Sequence, residues 1–183
     1  MNMQEELADL NKQAIAAAIG HMGKVAWPTL ALTFLVCSLF IPCLVLFAYG
    51  YMSVWLATLL IGILTYISYT SLHEAVHGNI GGNKPHLRWL NGLCGYAVAP
   101  IIGIAYASHK HEHFTHHRFT NVEDKDPDFR ISGMGKGPVR AVLTVLWFFF
   151  AQNAFFAKNN WHSAKLKDRV LYVTELCVSL GWR

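Results

Sequence analysis

The sequence predicts an all-α integral membrane protein, with an N-terminal transmembrane hairpin and cytoplasmic helices that carry histidines. Of its 183 residues, 54% are hydrophobic and 14% are charged, whereas soluble domains carry about 25% charged residues. Residues 25–72, a run of 48, contain no Asp, Glu, Lys or Arg. Histidines cluster at 73–77 and 109–117, and the second cluster holds five of the chain's ten. The clusters predict a metal site beside a membrane.

Charge and cysteine usage limit the partners. The net charge of +4 is modest, and the basic residues do not form the pattern of a nucleic-acid-binding surface, so no nucleic-acid partner is expected. All four cysteines lie in apolar runs without a Cys-x-x-Cys pair, which favours buried free thiols over disulfides or metal ligands. They are Cys37, Cys43, Cys94 and Cys177.

Residues 1–24 form a polar to amphipathic N-terminal segment, predicted to be cytoplasmic. Apolar residues recur there at helical spacing, and Gly20 is a candidate helix end. The segment is either a short helix on the membrane or a solvated tail. The apolar stretch that follows starts too late and runs too long for a signal peptide. Residues 25–183 are assigned to one membrane domain.

The uncharged stretch predicts two bilayer crossings. One crossing needs roughly 20 apolar residues, so 48 residues fit two helices with a tight turn near Tyr49-Gly50-Tyr51. Pro42 is a candidate kink in the first helix. The second helix is expected from about Met52 to Leu72 and carries His73 and His77 at its end.

Basic residues set the predicted orientation. They both precede and follow the hairpin, and two crossings return the chain to the same side of the membrane. The positive-inside rule makes that side cytoplasmic. The N-terminus and both histidine clusters are therefore expected in the cytoplasm. The residues are Lys12, Lys24, Lys84, Arg88, Lys110, Arg118, Lys125 and Arg130.

The later apolar segments are less regular. Residues 93–107 number only 15 and contain Gly and Pro, so a dip into the bilayer or a helix covering the site is expected rather than a crossing. Residues 141–157 are expected to form an interfacial helix, because a crossing would place the basic loop after it outside. Glycine-rich or polar sequences at 78–92 and 121–138 predict loops. Residues 170–182 number thirteen, too few to cross, so the chain is expected to be part of a longer protein.

Histidine spacing supports a metal site with more than one ion. On a helix, His73 and His77 lie on one face because they are four residues apart. His113 can share a face with both His116 and His117, which diverge enough to reach two different ions. Imidazole suits Fe, Zn and Cu, so the ligand type alone leaves the metal open.

Other interpretations of the histidines remain open from the residues alone. His73-Glu74-Ala-Val-His77 also fits the His-Glu-x-x-His signature of zinc metalloproteases, in which Glu74 would be the general base. Such a site does not need the second cluster, which favours the multi-histidine centre. A third possibility is a non-catalytic protein that binds metal weakly or not at all.

Together, His73-x-x-x-His77 and His113-x-x-His116-His117 resemble the histidine boxes of the membrane fatty acid desaturases and the related carotenoid hydroxylases. The flanking sequences are also similar. A glycine-containing loop follows the first box, and Arg-Phe-Thr-Asn leads from the second box towards Asp-Pro-Asp at 126–128. The resemblance covers residues 25–130 well and the remainder loosely.

This resemblance implies a fatty acid desaturase, acting on acyl-lipid or acyl-CoA, with two non-haem iron ions, O2 as co-substrate and two electrons from a ferredoxin or a cytochrome with its reductase. A carotenoid-type hydroxylase of the same superfamily is the alternative. The implied iron ligands are His73, His77, His113, His116 and His117. Candidates for groups that orient the ligands are Glu74, His109, His111, Asn121, Asp126 and Asp128.

One difference from the family pattern stands out. The family carries a third box, His-x-x-His-His or a version with Gln first, after a further pair of crossings, and residues 1–183 do not contain it. Five implied ligands are few for two irons. The membrane domain is therefore expected to be incomplete at 183, and this chain alone to be inactive.

Overall fold

The structure, a computed structural model, describes residues 3–20 and 22–181. Within those residues it is all-α, with no strand. Seven α-helices follow one another, with short 3₁₀ helices at Pro85–Leu87 and Phe129–Lys136. The α-helices are α1 (Met3–Ile19), α2 (Trp27–Ala48), α3 (Val54–His77), α4 (Trp89–Ile102), α5 (Tyr106–Phe119), α6 (Pro138–Asn159) and α7 (Leu166–Gly181).

The predicted hairpin is confirmed as α2 and α3. The chain turns at Gly50, whose φ of 77° is readily available only to glycine. Ser53 begins α3 by accepting a hydrogen bond from the backbone N–H of Leu56 at 3.3 Å, which satisfies one of the free donors of the first turn. At the other end α3 stops at Gly78, with φ 75°, so the histidines occupy its last turn.

Three helices are long and apolar enough to cross a membrane, namely α2, α3 and α6. The α6 helix begins at Pro138, three residues before the apolar run, and ends at Asn159, which gives it 22 residues. Length and composition therefore allow α6 to cross a bilayer, and the expected interfacial position stays a prediction. The cytoplasmic orientation of the histidine clusters stays a prediction.

The segment expected to dip into the bilayer is α4, which has only 14 residues. It meets α5 at a bend of 97°, and by length and composition the two together could form a broken span or a re-entrant loop. Gly103 makes the turn with φ 89°. The bend matters for function because it aims α5 at the end of α3.

Side chains of α6 and α7 hold this bend. Asn153 accepts a hydrogen bond from the N–H of Ala105 and donates one to the carbonyl of Gly103, both at 3.0 Å. Glu175 accepts from the N–H of Ala107 at 2.8 Å, and Ser179 donates to the carbonyl of Ile104 at 2.9 Å. These bonds satisfy backbone groups that the break in the helix leaves free.

The buried core nearest the site joins α3, α4 and α5. Tyr106 fits against Gly95 and donates a hydrogen bond to the carbonyl of Ala75 at 2.9 Å. Since Ala75 lies between the two histidines of α3, this bond ties the start of α5 to the last turn of α3. The buried members are Leu72, Ala75, Val76, Ile80, Cys94, Val98, Ala99, Ile104 and Tyr106.

Two local expectations were wrong. The loop predicted at 121–138 contains the 3₁₀ helix of eight residues at Phe129–Lys136. All four cysteines are free as predicted, but only Cys94 is buried, whereas Cys37 and Cys43 are half-buried and Cys177 is exposed. The α1 helix agrees with the prediction and ends one residue before Gly20.

Candidate metal centre

Four histidines from the two clusters meet at one place. His73, His77, His113 and His117 offer ring nitrogens that all lie within 4.8 Å of one another. Spacing of four residues on each helix puts one pair on a face of α3 and the other on a face of α5. The packing of the two helices then brings together residues 36 positions apart in sequence.

The shortest distances in this cluster centre on His113. Its Nε2 lies 3.0 Å from the Nε2 of His77 and 3.0 Å from the Nε2 of His117. Two neutral ring nitrogens at this distance can share one proton, or both can turn their lone pairs to a single ion in place of the proton. With metal–nitrogen bonds of about 2.0–2.1 Å, two nitrogens on one ion lie at most about 4.2 Å apart. The two pairs at 3.0 Å therefore fit a shared transition-metal ion, since nitrogen donors do not suit Mg or Ca. The whole group extends to 4.8 Å, which leaves room for more than one ion.

His116, the fifth predicted ligand, lies outside this group of four. Its Nδ1 is 2.8 Å from Oδ1 of Asp126 and 3.5 Å from Oδ2 of Asp128. The ring centroid is 6.3 Å from that of His113. With Nδ1 held by a carboxylate, Nε2 is the atom left to bind a metal, the usual arrangement for a ligating histidine.

Asp126 is itself held in place. It is 6% exposed, and it accepts hydrogen bonds from the backbone N–H groups of Asn121 at 2.8 Å and Asp128 at 2.9 Å. Burial acts to raise the pKa of Asp126, but the hydrogen bonds from His116 and the two N–H groups lower it by more. The carboxyl is thus ionised and suited to hold a proton on His116.

Asp128 differs from its neighbour. Burial raises its pKa, with Asp126 adding to the rise and His116 opposing it. Together His116, Asp126 and Asp128 form a second group of donor atoms within 4.8 Å of one another. Asn121 acts through its backbone N–H, which donates to Asp126, and not through its side-chain amide. Its positive φ of 63° orients this N–H towards the carboxylate.

The other three candidates are placed differently. Glu74 lies 3.4 Å from Nδ1 of His73 and also accepts from the Asn79 amide at 3.0 Å. His109 is buried beside the cluster, with its ring centroid 5.4 Å from that of His113. His111 is exposed and its ring instead contacts Phe156 at 5.4 Å, so the structure does not bring it to the cluster.

Two contributors were not predicted from the sequence. Tyr69 lies one turn before His73, and its ring centroid is 6.2 Å from that of His73 and 5.9 Å from that of His109. Its spacing of four residues from His73 was a usable signal. Glu175, which supports the first turn of α5, lies 68 positions from its partner and had no local signal.

Comparison with known families gives the deciding observation. The sequence profile of the family described as Fatty acid desaturase matches residues 49–182.

The chain belongs to the fatty acid desaturase family.

The match begins at the hairpin turn and includes both histidine boxes and the aspartates behind the second box. Comparison with curated proteins and with solved structures finds no match. Membership supports an oxidoreductase function of the desaturase and hydroxylase superfamily. A lipid substrate and a place in the membrane follow from the family and from the spanning helices.

Proposed function

We propose that this protein is a fatty acyl desaturase that uses O2 at a non-haem di-iron centre. The single observation that carries the proposal is the convergence of His73, His77, His113 and His117, whose ring nitrogens lie within 4.8 Å of one another, in a chain of the desaturase family. Such a centre supplies, when bound, the O2 and electron chemistry that removes hydrogen from an unactivated C–H bond. The electrons come from a ferredoxin or a cytochrome with its reductase.

Some of these side chains would bind the metal, and others orient the imidazoles that bind it. The four clustered histidines would hold iron, and His116 would add a fifth nitrogen through Nε2. Asp126 fixes the tautomer of His116 by holding the proton on Nδ1, while Glu74 lies within reach of Nδ1 of His73 at 3.4 Å. The bend before α5 holds the histidine rings of α5 opposite those of α3.

The surroundings of His77 support an anionic head group on the acyl substrate. A cavity of about 790 Å³ reaches His77 and is lined by Arg88 and Lys110, with the amides of Asn79 and Asn83. No Asp or Glu of the described residues lines it. Basic and amide groups beside a metal centre at the end of a membrane helix suit phosphate on a lipid or on CoA.

The zinc protease interpretation of His73-Glu74-x-x-His77 loses support. Its carboxylate would have to be free to act on a water molecule, yet Glu74 is engaged by His73 and by the amide of Asn79. The family match also favours the oxidoreductase.

The test uses the full-length protein purified in detergent and loaded with ferrous iron. Iron per chain is measured first, and then a deuterium-labelled acyl substrate is supplied with O2, reductant and an electron carrier. We expect iron to bind and mass spectrometry to show loss of two hydrogens. A product that gains one oxygen would instead indicate the hydroxylase. Protein that binds zinc but no iron would contradict the proposal.

A further inference from the structure

His109 is a buried imidazole that the two histidine boxes do not include. It is 2% exposed, and neither Nδ1 nor Nε2 has a hydrogen-bond partner within residues 3–20 and 22–181. A buried polar group without a partner is unfavourable, and nearly all such groups in folded proteins are satisfied. Hydrophobic packing does not explain why this position carries an imidazole.

Its position directs it towards the cluster. His109 lies one turn before His113 on α5, so the two rings share a face of the helix, with centroids 5.4 Å apart. The ring of Tyr69 meets it edge to face at 5.9 Å, which is a contact between rings and leaves the nitrogens unused.

The backbone at this position is fixed. The N–H of His109 donates to the carbonyl of Ala105 at 3.0 Å, and Ala105 is itself held by Asn153 from α6. The neighbouring Ser108 is fully buried and donates to the carbonyl of Gln152. The imidazole therefore projects from a backbone that is already fixed. A metal that binds it does not have to order this turn first, which lowers the entropy lost on binding.

Glu112 gives a second, independent sign of an unsatisfied polar site along the same face. It follows His109 by three residues, is 2% exposed, and its Oε2 has no hydrogen-bond partner among the described residues. Glu112 lines a cavity that also contains Asp126, so unsatisfied donors lie on the stretch of α5 next to the histidine cluster, and such donors suit a divalent transition metal.

We propose that His109 is a sixth imidazole ligand of the metal centre. This inference rests on the proposed function, because it assigns a further donor to the same pair of ions. It adds one imidazole to the five that the two boxes supply within residues 1–183. His109 supplies a neutral ring nitrogen, and α5 then carries ligands one turn before and one turn after His113.

The test compares His109→Gln with His111→Gln. Glutamine keeps the size and hydrogen-bonding capacity of the side chain but is a poor ligand for these metals. His111 is the matched control, because it lies on the same helix two residues away and is exposed. The purified full-length proteins are titrated with Co²⁺, whose visible spectrum reports its ligands, and with ferrous iron. The melting temperature of each metal-free protein reports folding.

We expect His109→Gln to weaken Co²⁺ binding at least about tenfold and to change the visible spectrum, with the metal-free melting temperature unchanged. His111→Gln should match the wild type. A His109→Gln spectrum and affinity equal to the wild type would overturn the inference and leave the proposed function intact. Wild-type protein that binds no metal would overturn both.

A second measurement on the wild type covers the case in which His109→Gln does not fold. The ¹⁵N spectrum of histidine-labelled protein is recorded with and without Zn²⁺, a diamagnetic substitute for iron. The ring resonance assigned to His109 should shift on metal binding together with those of the five box histidines within residues 1–183. Shifts of box histidines with an unchanged His109 resonance would overturn the inference.

Discussion

Nδ1 of His116 lies 2.8 Å from Oδ1 of Asp126, ten residues further along the chain. The contact closes the loop after α5 back onto the histidine helix. It also gives His116 a role different from that of the other four box histidines, which meet one another instead. The aspartate is held by two backbone N–H groups, so it orients the imidazole without itself being free to move.

The first prediction concerns Asp126→Asn. The amide cannot hold the proton on Nδ1 of His116 as a carboxylate does, so we expect metal affinity to fall about 10- to 100-fold. Iron titration of the purified protein measures this. Asp124→Asn is the control, because Asp124 is exposed in the same loop. Equal affinities of both variants and the wild type would show that Asp126 does not act through His116.

The second prediction concerns Gly95→Ala. A Cβ at this position would lie 2.5 Å from the ring of Tyr106, so the ring must move and its hydrogen bond to Ala75 is lost. We expect a loss of stability of about 1–3 kcal/mol, measured by denaturant unfolding in detergent. Gly92→Ala is the control in the same helix, because its nearest atom would be an ordinary contact at 3.6 Å. Similar effects of both substitutions would argue against the packing explanation.

The third prediction concerns Asn153→Ala. Removing the amide leaves the N–H of Ala105 and the carbonyl of Gly103 without their partner at the bend. Each buried group left unpaired costs about 1–3 kcal/mol, so α5 should loosen against α3. Hydrogen exchange at residues 103–108 should quicken. Asn159→Ala, at an exposed position of the same helix, should leave the exchange unchanged, and an unaltered rate in Asn153→Ala would contradict the prediction.

The fourth prediction is a pH dependence from Glu175. Burial raises its pKa from 4.5 to about 7, opposed by the hydrogen bond from Ala107. The folded state then binds more protons than the unfolded state between these values. The contribution to stability is full below about pH 4.5 and is lost as the pH rises through about 7.

The melting temperature measured between pH 5 and pH 8 tests this contribution. Glu175→Gln has no such titration, so the wild type should lose stability relative to this variant as the pH rises. Parallel curves for the two proteins would show that Glu175 titrates normally.

The two box helices illustrate what could be predicted locally. Spacing of four residues was enough to place His73 and His77 on one face, and likewise His113 and His117, because a helical turn has a fixed period. The uncharged run and Gly50 likewise predicted the hairpin. For α6 the basic loop that follows it predicted an interfacial position, whereas residues on both sides of the apolar run extend the helix to a length that also allows a crossing.

By itself, the sequence determined the family, the membrane hairpin and the donors available to a metal, since these depend on composition and on short-range periodicity. Only the tertiary structure decided which donors meet. It brought four imidazoles together across the α3–α5 contact, turned His116 towards Asp126 and buried His109 beside the cluster. These outcomes depend on packing between segments tens of residues apart, and on side chains of α6 and α7 that hold the bend, which no local pattern encodes.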